Sequence, residues 1–183
     1  MEALQLSGRL AYLAQPELRG CRRLASLRLL SFGDGRYRLK RLSELAPALQ
    51  CLEMGLEADV TPPPTLRSLR LHHRQWDWEE PALKPLLAAT PRLRRLTLDG
   101  NPPTCLLGLP WPTTLERLCF FGRYNLDASF LPALLANVRL PFTLILDDAT
   151  ILHLPDQAPA PIHAYPIFAG RRYFSAYFFT KAI

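Results

Sequence analysis

Cysteine is scarce and shows no paired spacing. The four residues Cys21, Cys51, Cys105 and Cys119 form no C-x-x-C, which argues against a zinc ribbon or a redox motif. That usage suits reduced thiols in a cytosolic or nuclear protein. Only four histidines occur (His72, His73, His153 and His163), and none sits in a recognisable nucleophile–base arrangement. His72-His73 lacks Cys or carboxylate ligands at zinc spacing, and Asp147-Asp148 has no metal context, so neither metal nor cofactor is expected. A Gly-rich phosphate loop is missing, and Gly33-Asp34-Gly35 reads as a turn. Nothing supports an enzyme. The longest apolar run, Phe130 to Ala136, is too short to cross a bilayer. No basic stretch leads into a long apolar run near Met1, so no secretory signal is expected.

What is present suits one domain, or at most one domain plus an appendage. Of 183 residues 49% are apolar, ample for a core. The net charge of +6 is banded: residues 1–41 carry nine Lys/Arg against three acids, residues 42–80 three against seven. Residues 81–123 carry six against two, and residues 124–183 four against four. No long basic tail exists, so nucleic acid is not the expected partner.

A template L-x-x-L-x-L, with Met, Phe or Pro substituting, recurs seven times. Its copies are Met1-Leu4-Leu6, Leu24-Leu27-Leu29, Leu49-Leu52-Met54, Leu66-Leu69-Leu71, Leu93-Leu96-Leu98, Leu115-Leu118-Phe120 and Pro141-Leu144-Leu146. The starts are 23, 25, 17, 27, 22 and 26 residues apart. The fourth and sixth template positions alternate as on a strand and point two side chains into a core. Between strands, Leu39 to Leu45, Pro81 to Ala89 and Phe130 to Ala136 show helical spacing. Pro85 should shorten or kink the second of these, and Asp127 or Ser129 could cap the third. Val60 to Pro64 and Asn101 to Pro112 are too Pro-rich for helix and should be extended or 3₁₀.

On these residues the chain resembles the leucine-rich repeat superfamily over roughly residues 1–150. LLAATPRLRRLTL is similar to the helix-containing repeats of ribonuclease-inhibitor-like and F-box-associated proteins. TPPPTLRSLRL and LPWPTTLERLCF are similar to shorter, proline-led repeats of other branches. Asn101 fills the family's Asn position, which elsewhere holds Arg9, Phe32, Glu57, Arg74, Arg123 and Ala149. With the pattern starting at residue 1, an N-terminal F-box is not expected. The resemblance implies an α/β solenoid with a curved parallel sheet, mixed helical and extended convex segments, and a concave face for binding.

The register assigns that face. Arg28, Glu53, Arg70, Thr97 and Cys119 form its central outward row. Arg95 and Arg117 belong to one neighbouring row, and His72, Asp99 and Phe121 to the other. Arg28, Arg70, Arg95 and Arg117 would make a basic stripe interrupted by Glu53 and edged by Asp99. The stripe is either a solvated surface or a patch for an acidic partner protein. The loop His72 to Trp78 adds Arg74, Trp76 and Trp78, residue types enriched in binding hot spots, although the rings could equally plug a gap between unlike repeats.

Residues 151–183 leave the pattern. From Ile162 onward, 22 residues hold seven of the fifteen Phe and Tyr. Pro155, Pro159 and Pro161 precede them as a stiff link, and Arg171, Arg172 and Lys181 bracket too short an apolar run for a membrane. This tail either folds back over Leu144 and Leu146 as a cap or docks into a partner. Two functions follow: a non-enzymatic binding module or adaptor, or a structural subunit inside a larger assembly.

Overall fold

The computed structural model describes residues 3–7, 21–30, 38–39, 42–55, 59–72, 80–100, 106, 108–122, 125–147, 150–153, 162–169 and 172–180. In chain order the strands begin with β1 (Ala3–Ser7), β2 (Ser26–Leu30), β3 (Arg38–Leu39), β4 (Cys51–Gly55), β5 (Asp59–Val60) and β6 (Ser68–His72). They continue with β7 (Arg95–Asp99), β8 (Arg117–Phe121), β9 (Asn125–Leu126), β10 (Phe142–Asp147), β11 (Ile151–Leu152), β12 (Ile162–Ala169) and β13 (Arg172–Phe179). Among the described residues the helices are α1 (Leu42–Leu45), α2 (Glu80–Ala88) and α3 (Phe130–Leu135).

Each template copy makes one strand, and the seven lie side by side. One mixed sheet has the order β1-β2-β4-β6-β7-β8-β10-β13-β12, parallel from β1 to β10. Pairing runs Leu4↔Leu27↔Leu52↔Leu69↔Leu96↔Leu118↔Leu144, so the fourth template position forms one unbroken row. Leu27, Leu52, Leu69, Leu96 and Leu118 are all buried, while Leu4 at the sheet's edge is only partly so. The sixth positions, Leu29, Met54, Leu71, Leu98, Phe120 and Leu146, make a second buried row.

The helices cover the same side as these rows. Leu42, Leu83, Leu86, Leu87, Phe130, Leu131 and Leu134 belong to one core with the strand leucines. Trp111 and Phe120 meet the Phe130 ring edge-on at 6.4 and 5.8 Å. α2 runs through Pro85, which stays exposed and whose carbonyl accepts from Ala89 N–H at 3.0 Å. α1 begins at Leu42 rather than Leu39, because Leu39 is drawn into a two-residue parallel ladder between β3 and β5. At α3 the cap is Asp127, whose Oδ1 accepts from the N–H of Ser129 and Phe130; the Ser129 side chain makes no cap bond.

A backbone device repeats at the entrance to the strands. The carbonyls of Ala25, Gln50, Arg67 and Arg94 each accept two N–H groups from the following copy, at 2.8–3.0 Å. In the two proline-led copies a threonine adds a side-chain brace. Thr65 Oγ1 lies 2.9 and 3.0 Å from the carbonyls of Pro47 and Leu49, and Thr114 Oγ1 3.0 and 2.8 Å from those of Pro91 and Leu93.

Two further features complete the architecture. The sheet is mostly parallel and uncurled, and few helices accompany it among the described residues. The aromatic tail folds into the hairpin β12–β13, and β13 pairs antiparallel with β10. Phe179 lies opposite Phe142 with ring centroids 6.2 Å apart, both fully buried.

Candidate functional site

Because side chains alternate along a strand, rows at the third, fifth and seventh template positions face away from the helices. The central outward row is Gln5↔Arg28↔Glu53↔Arg70↔Thr97↔Cys119↔Ile145. The two rows beside it bring Arg95 next to Arg117, and His72 next to Asp99. No helix packs on this side among the described residues, and Arg28, Arg95 and Arg117 are exposed.

Four adjacent strands converge on one charged network here. Glu53 on β4 takes Arg28 Nε on one oxygen and His72 Nε2, at 2.7 Å, on the other. Asp99 on β7 takes Arg70 Nη2 at 2.9 Å and His72 Nδ1 at 3.2 Å on the same oxygen. The imidazole therefore bridges two carboxylates, which only its doubly protonated form can do with a donor at each nitrogen. Arg70 Nε–H is buried without a hydrogen-bond acceptor, 3.9 Å from Glu53 Oε1, and the guanidinium carbon lies 5.8 Å from the Phe121 ring centre.

The electrostatics follow from this packing. The bond to Asp99 raises the His72 pKa, outweighing partial burial, and Glu53 adds to the effect. Asp99 is lowered chiefly by His72 and then by Arg70. Desolvation alone would raise Glu53, but the bonds from His72 and Arg28 overcome it and its pKa is lowered. Burial pushes the Cys119 thiol up despite a bond with Thr97, as expected of an inert cysteine. Glu53, His72 and Asp99 are metal-ligand types, yet their lone pairs already face donors and two guanidinium groups stand among them. Such surroundings repel a cation.

These shifts predict a pH window for stability. Glu53 and Asp99 contribute above their ordinary values of 4.5 and 3.8, and lose that contribution as pH falls through their lower folded values. His72 contributes fully below its ordinary value of 6.5 and loses it as pH rises through its higher folded value. The gap in melting temperature between wild type and His72→Gln should be widest between about pH 5 and 6.5 and should shrink at alkaline pH. A gap that grows from pH 6 to pH 9 would refute the doubly bonded imidazolium.

The network changes the meaning of the arginine stripe. Arg28 and Arg70 are each paired with a carboxylate, whereas Arg95 and Arg117 make no ion pair among the described residues. Sequence reasoning placed Glu53, Asp99 and His72 on the face but did not foresee that they interlock. The available signal was their position on neighbouring rows of adjacent strands. Arg74, Trp76 and Trp78 lie outside the described residues, as does Asn101.

Beside the network lies a trough of about 510 Å³. Small side chains of the third-position row, Ala3, Ser26, Cys51 and Ser68, form its floor, and Arg28, Glu53 and Arg70 stand along one side. No helix of the described residues is long and apolar enough to cross a membrane. No protein-family model matches this chain, and no curated protein matches it either.

Proposed function

We propose that the chain is a non-enzymatic protein-binding module, or adaptor, of the leucine-rich repeat type. Residues 1–150 would be its repeat solenoid and residues 151–183 its capping tail. The uncovered face of the sheet would dock another protein with an acidic surface. One observation supports this most: among the described residues, a largely parallel sheet is packed by helices on one face only. Parallel sheets are ordinarily covered on both faces. Here the bare face carries charged side chains in register, balanced around His72 and cationic at Arg95 and Arg117.

The test is affinity purification with the Arg95→Glu/Arg117→Glu variant. A partner retained by wild type should be lost by the double variant, with the melting temperature within about 2 °C because exposed charges contribute little to stability. Capture should weaken as salt rises. Equal capture by both proteins would sink the reading.

A second reading, a subunit held inside a larger assembly by its ends and aromatic tail, has its own support. Ile151 is 58% exposed and Phe178 37%. Loss of capture by Phe178→Ser but not by Arg95→Glu/Arg117→Glu would favour it.

A further inference from the structure

The third-position row changes character along the sheet. From β1 to β6 it is Ala3, Ser26, Cys51 and Ser68, and from β7 to β8 it is Arg95 and Arg117. Short side chains leave a channel running across the strands, and the row continues past Ser68 into the two long ones. With strands about 4.8 Å apart, the four small residues span roughly 14 Å, the length of four or five residues of extended chain.

Charge selects what could lie there. The long wall is neutralised from within, Arg28 by Glu53 and Arg70 by Asp99, so it offers hydrogen-bonding edges without a strong net field. The end is different: Arg95 and Arg117 are exposed, adjacent in register and without an ion pair among the described residues. The nearby Arg94 is matched by Glu116 at 3.3 Å, so it does not extend the positive end.

We propose that this channel holds a short extended segment of an acidic partner protein, lying across β1, β2, β4 and β6 with its carboxylates against Arg95 and Arg117. The proposal rests on the reading of this face as a partner surface, and it adds where the partner lies, in which conformation, and which groups hold it. Small floor residues admit a peptide backbone but leave no pocket for large side chains. Recognition would then come from backbone contacts and from the acidic residues at the arginine end.

The probe is a fluorescently labelled hexaglutamate peptide, with hexalysine as control, measured by anisotropy at low salt. Hexaglutamate should bind, and Arg95→Glu/Arg117→Glu should weaken it about tenfold or more. A charge-matched double reversal on the helix side, Lys84→Glu/Arg139→Glu, should leave the affinity within about twofold. Cys51, exposed on the channel floor, reports the location independently. Its alkylation by maleimide, followed by mass spectrometry, should slow when the peptide is bound. No binding, equal weakening by the helix-side variant, or unchanged alkylation of Cys51 would each overturn the proposal. If the affinity purification above still loses its partner with Arg95→Glu/Arg117→Glu while hexaglutamate ignores the channel, only this inference falls. If both experiments are negative, the reading of the face falls with it.

Discussion

Gly122→Ala should be among the most destabilising single changes in this protein. Gly122 adopts φ +150° directly after β8, and a Cβ there would stand 2.1 Å from the carbonyl oxygen of Gly100. Gly100, with φ +127°, occupies the matching position after β7, and its N–H bonds the Phe121 carbonyl at 2.9 Å. The obstacle is backbone, which cannot rotate away as a side chain can. Overpacking and strain each cost roughly 1–3 kcal/mol, so the loss should be about 2–6 kcal/mol by denaturant unfolding. Gly55 supplies the contrast. Its added Cβ would meet nothing closer than 3.8 Å and its φ is not positive, so Gly55→Ala should change stability by less than about 1 kcal/mol. A Gly122→Ala loss below about 1 kcal/mol would show that the two turns do not touch as described.

Deleting residues 162–183 should have the other large effect. The hairpin β12–β13 ends the parallel run by pairing β13 with β10 from Phe142↔Phe179 to Asp147↔Phe174. Without it, β10 becomes a naked sheet edge, and such edges invite aggregation. Phe142 also loses its ring partner, and truncating a buried Phe alone costs about 3–5 kcal/mol. The shortened chain should elute as aggregates or melt far below the full chain, with Phe179→Ala reproducing part of that loss. A truncated protein that stays monomeric and equally stable would mean that the hairpin serves docking and not the core.

Much of this fold is legible in the amino-acid order because the evidence for it is local. In LRSLRL and LRRLTL a period of two sorts each side chain to the core or the outer face without reference to any other copy. Repetition of that pattern then aligns Leu69 with Leu96 and Arg95 with Arg117. Asp127, three residues before Phe130, announces its helix start in the same local way. The helix expected from Leu39 was shortened for a non-local reason. Leu39 pairs with Val60, and nothing near either residue declares that bond.

The sequence by itself thus determined the seven strands, their register, the buried leucine rows and the set of side chains on the bare face. All of these depend on spacing along the chain. Only the tertiary structure decided which charges on that face cancel, that His72 bridges Glu53 and Asp99 while Arg95 and Arg117 stand apart, and that β13 turns antiparallel to close the sheet. Those outcomes depend on side-chain reach across neighbouring strands and on a contact between Phe142 and Phe179, 37 positions apart in the chain. Periodicity cannot supply such information, because it says which way a residue points and not what it meets.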